Sequence, residues 1–186
     1  RHEESLEQLA TLIAAQPENL TLAFERATVG LFDLGHHSRA LEAYDALLAR
    51  EPRHADSWLH RGHALRALAR LPEALESYQR ARELNPMIAA HHLAEGQVLL
   101  ALQRDQDARE AFDRAVQIDS RLVAAHLGRA AALLRRHNVV AGLVSADRAR
   151  QLDPRCAEAH YLLGAGQISL GNLEEALVAL DEALRL

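Results

Sequence analysis

Lysine is absent from the 186 residues, and cysteine, tryptophan and methionine occur once each. The lone Cys156 has no partner for an internal disulfide, so a disulfide-stapled scaffold is excluded. Eight Val, four Ile and seven aromatic residues are too little material for a sheet-based core. The longest apolar runs are a few residues, far short of the roughly 20 that cross a bilayer, and no charged start leads into an apolar signal stretch. A net charge of −5 weighs against a general nucleic-acid binder. What abounds is alanine, 36 residues, and leucine, 34, a composition that predicts helices throughout. The start at Arg1 without methionine and the stop inside a helical pattern at Leu186 suggest a piece of a longer protein.

Self-similarity with a period of 34 organises the chain. Pro52, Pro86 and Pro154 stand on it, with Ser120 at the intervening step. Taking these as position 32 gives units at 21–54, 55–88, 89–122, 123–156 and 157–186, the last cut short. Position 4 then reads Phe24, Trp58, His92, His126, His160, and position 8 reads Thr28, Gly62, Gly96, Ala130, Gly164. Position 20 is Ala40, Ala74, Ala108, Gly142, Ala176; position 24 is Tyr44, Tyr78, Phe112, Ala146, Leu180; position 27 is Leu47, Ala81, Ala115, Ala149, Ala183. This pattern resembles the tetratricopeptide repeat, with Trp58, Gly62, Ala74, Tyr78, Ala81 and Pro86 in register in the best unit.

The residue spacing gives the same picture physically. Positions 4, 7, 8 and 11 mark one face of a first helix, and 20, 24 and 27 one face of a second. Small residues at 8, 20 and 27 allow close approach, and the aromatic at 24 fills the space beside them. Residues 1–20 match the back half of another unit through Ser5, Leu6, Leu9, Leu12, Ile13 and Pro17. The expectation is an all-α fold, a right-handed α-solenoid of antiparallel helical hairpins: five units and a leading half hairpin in one continuous domain. In 123–156, Arg129, Gly142, Ala146 and His137 depart from the pattern, and a loose joint is expected there. At the end, Leu177, Leu180, Leu184 and Leu186 lie on a helix with no polar helix behind it, which suggests a continuing chain or pairing with a second copy.

Positions 2, 5, 9, 12 and 13 lie opposite the packing face of each first helix. The resemblance implies that this face lines a concave groove receiving a peptide or helix of a partner. Sixteen of its 25 residues are apolar, which favours a ligand held by apolar contacts; the alternative is that columns 5 and 12 are core. The candidate partner-binding residues are Arg26, Val29, Asp56, His60, His63, Arg66, Leu93, Gln97, Leu100, Leu127, Ala131, Leu134, Arg135 and Tyr161. A carboxylate clamp of the chaperone kind is unlike this chain, which has no Lys or Asn in the relevant columns and only Arg26 charged at position 6.

Eleven histidines raise the question of metal. Asp56, His60 and His63 are spaced to share one helix face, yet no closed four-ligand pattern occurs, and the histidines at position 4 fall where a planar packing residue belongs. These three residues with Arg66 read better as a polar anchor for a peptide. No catalytic motif is present, and Cys156 has no activating base. Unit 123–156 carries six Arg against two acids, and 157–186 one Arg against five acids. That contrast serves either to steer an acidic partner to Arg129, Arg135, Arg136, Arg148 and Arg150 or to hold neighbouring repeats together. The reading is a non-enzymatic protein-binding module without cofactor, metal, nucleic acid or membrane insertion. Its alternatives are the substrate-docking arm of a larger enzyme, such as a bacterial glycosyltransferase or sulfotransferase, and a scaffold that self-assembles through its last helix.

Overall fold

The protein is described by a computed structural model over residues 19–28 and 35–186, with the backbone alone for Leu20. The leading half hairpin expected at 1–20, apart from Asn19 and Leu20, and the candidate Val29 lie outside these residues. Ten helices and no strand occur among the described residues: α1 Leu20–Glu25, α2 His37–Arg50, α3 Ala55–Ala67, α4 Leu71–Leu84, α5 Ala89–Ala101, α6 Asp105–Ile118, α7 Val123–Arg135, α8 Val139–Leu152, α9 Ala157–Leu170 and α10 Leu173–Arg185. None is long and apolar enough to cross a membrane. The chain divides into two compact units, Arg1–Pro86 and Met87–Leu186.

Each hairpin turns at its position 15, where the backbone enters the left-handed region: Gly35, Ala69, Gln103, His137 and Gly171 have φ between 59° and 80°. After α3 the Ala69 amide donates to the Arg66 carbonyl and the Arg70 amide to the Leu65 carbonyl, so two of the helix's last carbonyls are satisfied. The same pair of bonds closes α5, α7 and α9. Glycine takes this conformation without strain, whereas Ala69, Gln103 and His137 hold it at a cost of about 1 kcal/mol each. Pro72 sits in the first turn of α4, where a missing amide hydrogen is harmless. Second helices end at Leu84 and Leu152, ahead of Asn85-Pro86 and Asp153-Pro154, as the restriction on residues preceding proline requires.

Close helix pairs follow from glycine facing a large side chain. In the first unit a Cβ at Gly62 would lie 2.6 Å from Cδ1 of the fully buried Tyr78. In the second, Cβ atoms at Gly96 and Gly128 would both lie within 2.7 Å of the Phe112 ring. The joint at 123–156 is packed, contrary to expectation. Ala130, Ala146 and Ala149 are fully buried in one cluster with Leu127 and Leu162, and Leu134 occupies the space over Gly142 that a larger residue would take. The room that Gly142 leaves is thus taken by a leucine from the facing helix of the same hairpin. Within the second unit, the first helices α5, α7 and α9 touch in sequence while the second helices make no comparable contact with each other. Hairpins that meet along one layer and part along the other bend toward the layer that meets.

Candidate functional site

In the second unit the first-helix layer exposes a mixed surface. Leu93, Gln97, Leu100, Ala131 and Leu134 are half-buried, and Arg135 is exposed. Tyr161 and Ile168, one turn and three turns into α9, are 57% and 51% exposed. Leu127 offers no such surface: at 7% exposure it belongs to the core cluster. Its column lies at the edge of the face, where helical periodicity alone cannot separate groove from core. Arg135 is held in place, its Nε 3.1 Å from Asp105 Oδ1 and its Nη1 donating to the Leu100 carbonyl at 3.1 Å. A partner would meet a fixed guanidinium beside Leu100.

In the first unit the anchor residues separate. His60 Nδ1 donates to the Asp56 backbone carbonyl at 2.9 Å, and its ring lies edge-on to Phe24 at 5.1 Å and to His63 at 5.7 Å. His63 turns to the next helix, its Nδ1 2.8 Å from the Tyr78 hydroxyl. The structure therefore builds a run of rings, Phe24, Tyr44, His60, His63 and Tyr78, in place of a convergent ligand set. Among the described residues no three His, Cys, Asp or Glu side chains are placed to hold a metal ion. Burial, the neighbouring His60 and then Arg66 push the His63 pKa down to about 4, so its ring is neutral at pH 7. Burial likewise raises the Tyr78 phenol well above its ordinary value. The Asp56 and Arg66 side chains are exposed, and Arg26 lies on a cleft of about 250 Å³ between α1 and α2, lined also by Ala43, Leu47 and Arg50.

Two repeated devices escaped the sequence reading. The first belongs to position 4. Trp58 Nε1 donates to the Pro52 carbonyl at 2.9 Å, His126 Nε2 to the Ser120 carbonyl at 3.0 Å and His160 Nε2 to the Pro154 carbonyl at 3.0 Å. A planar ring carrying an N–H thus ties these three first helices to the loop six residues earlier, which explains why histidine can replace tryptophan there. The second is an arginine clip at position 7. Arg61 donates through Nε to Asp45 of α2 at 2.6 Å and through Nη1 to the buried Ser77 of α4 at 2.7 Å. Arg129 repeats it 68 residues later, bonding Ser145 of α8 at 3.0 Å and approaching Asp113 of α6 at 3.5 Å. The signal was legible as Arg at 7, Ser at 23 and Asp at 25 of the unit before, recurring every second unit. Arg129 and Arg135 reach Asp113 and Asp105 of the preceding repeat and so help hold neighbouring repeats together, whereas Arg150 pairs with Asp147 on its own helix.

A family model described as "Tetratricopeptide repeat" matches residues 30–86 and 61–122, together half of the chain. No curated protein sequence matches the chain. Among solved structures, "YrrB: a TPR protein with an unusual peptide-binding site" superposes with a TM-score of 0.80 at 22% identity, covering 97% of this chain and 92% of its own. MamA from Desulfovibrio magneticus RS-1 gives 0.83 at 18% identity, covering 91% and 95%. A further MamA structure gives 0.81 at 18%, covering 91% and 92%. At these identities the likeness is one of fold.

Proposed function

The chain belongs to the tetratricopeptide repeat family, and we propose that it is a non-catalytic interaction module that takes a segment of a partner protein along its first-helix layer. The observation that carries this reading is the exposure of Tyr161 and Ile168 on the same layer as Leu93, Leu100 and Leu134. Large apolar side chains left in water on the inner side of a bent layer are an interaction surface. Arg135, pinned by Asp105, adds a hydrogen-bonding point at its edge at little entropic cost, because its rotamer is already fixed. The occupant that suits these features is an extended or helical segment with apolar anchors and an acidic or carbonyl-rich flank, bound by the groove modes known for helical scaffolds. A relative of this fold, YrrB, is titled for a peptide-binding site, which accords with the reading.

Selection from a displayed library of random peptides against the intact chain tests it. Enrichment of sequences with spaced apolar anchors that compete with one another for binding is expected. Failure to enrich any sequence over the uncoated support would refute it.

A further inference from the structure

In the second unit α6, α8 and α10 part from one another, leaving furrows floored by the first helices. Between α6 and α8 the furrow holds Arg129, which bonds Ser145 and approaches Asp113, and His126, one turn earlier on the same helix, is 3% exposed. In the first unit Arg61 takes the same place, with its guanidinium carbon 5.5 Å from the Trp58 ring centre. Between α8 and α10 the arginine is missing. Leu163 stands at position 7 and Ala179 at position 23, while Asp147 keeps the acid of position 25. His160 makes the same bond as His126, to the carbonyl six residues earlier, yet is only half-buried. A cavity of about 680 Å³ opens there against His160, Leu163, Val178 and Ala179, and one of about 540 Å³ shares Leu163 and reaches Asp147. Both hairpins that wall this furrow are present. Val144 of α8, in the column of Val178, is 64% exposed with a hairpin on either side, so a further hairpin does not cover the column.

We propose that this furrow receives an arginine side chain from an extended segment of a partner protein, laid where Arg61 and Arg129 lie in their own repeats. The shape suits that residue: Leu163, Val178 and Ala179 bed an apolar stem, and the His160 ring offers a flat face as Trp58 does to Arg61. The charge suits it too. Glu174, Glu175 and Glu182 border the cavity against one arginine, Arg150, which is already bound to Asp147 at 2.6 Å. Asp147 has room for a second guanidinium, as Asp113 shows by accepting from Arg109 of its own helix while meeting Arg129. A second copy of this chain, with 26 acids to 21 arginines, is repelled where a basic segment is attracted. The furrow opens between second helices, away from the first-helix layer, and the inference stands apart from the function proposed above.

NMR titration of the isotope-labelled intact chain with acetyl-Ala-Ala-Arg-Ala-Ala-amide tests it, beside the same peptide carrying citrulline, which keeps the shape of arginine and lacks its charge. Saturable shifts of the Leu163, Val178 and Ala179 amides are expected, with half-saturation at about 1–10 mM for this single anchor. Citrulline should bind at least about tenfold more weakly. Leu163→Arg with Ala179→Ser rebuilds the clip within the chain and should abolish binding at unchanged circular dichroism. Glu175→Gln, at an exposed position that leaves the packing alone, should weaken binding at least about threefold. No saturable shift at about 50 mM peptide, equal shifts with citrulline, or binding undiminished by the variants would overturn the proposal. So would sedimentation of the chain as a dimer that the rebuilt clip dissolves, since the occupant would then be a second copy.

Discussion

Acidification should loosen the first unit through His63. Its ring is packed between His60 and Tyr78, with centroids 5.7 Å and 5.3 Å away, and its pKa is held down to about 4 by burial, by His60 and by Arg66. In the unfolded chain the same imidazole titrates near 6.5. Above pH 6.5 both states are neutral there and stability is complete. Between pH 6.5 and 4 the unfolded chain takes up a proton that the folded chain refuses, so stability falls as pH falls. The difference between about 4 and 6.5, at about 1.4 kcal/mol per pH unit, sets a ceiling of about 3.5 kcal/mol, and solvent reaching the half-buried ring brings the expectation to about 2 kcal/mol. His63→Gln keeps a hydrogen-bonding group beside the Tyr78 hydroxyl and removes the titration. Trp58, the sole tryptophan, lies on the same helix and reports its unfolding by fluorescence. Thermal melts at pH 7.5 and 4.5 should show an acid-induced fall in Tm that is about 4–8 °C smaller in His63→Gln than in the native chain. Equal falls in the two proteins, or an NMR titration of His63 centred near 6.5, would refute the reasoning.

Other residues give sharper tests of packing. Ala69→Gly should raise stability by about 0.5 kcal/mol, because relief of the left-handed backbone exceeds the entropy that glycine adds to the unfolded chain; chemical denaturation checks it. Gly62→Ala should cost about 1–3 kcal/mol, since its methyl would enter the buried Tyr78 ring. Arg129→Ala leaves the buried Ser145 with one bond, to the Ala141 carbonyl, and removes the reach to Asp113; a loss of about 1–2 kcal/mol is expected by the same measurement. His126, whose pKa burial lowers, adds a second acid-sensitive point, so His126→Gln should flatten the pH dependence of the second unit's amide exchange.

The hairpins were legible because their determinants are local. A 34-residue period, small residues at 8 and 20 and proline after the second helix fix helix ends and close approach wherever they recur. The left-handed turn at position 15 was legible in part: Gly35 and Gly171 advertise it and His137 was marked as a departure from the pattern, while Ala69 and Gln103 conceal it. The position-4 histidines were correctly seen as planar packing residues, while their bonds to the carbonyl six residues earlier needed the loop geometry. The polar anchor of Asp56, His60 and His63 was inferred from helical spacing alone. Spacing places side chains on a face and says nothing of the rotamer, and Tyr78 from the neighbouring helix claims His63. Leu127 failed for a related reason: column 5 sits where one face passes into the other, and the packing of Ala130, Ala146 and Leu162 decides that it faces inward. The arginine clips required pairing residues of adjacent units, a long-range relation that a column-by-column reading does not form.

The first-helix layer is the proposed binding surface. Its most direct test is the dissociation constant of a library-selected peptide for the native chain, for a Tyr161→Asp, Ile168→Asp chain and for a Val140→Asp, Val144→Asp chain altered on the exposed side of α8. The prediction is a loss of at least about tenfold with the α9 changes and none with the α8 changes, at unaltered Tm. Equal affinity for all three, or a loss confined to the α8 variant, would contradict it.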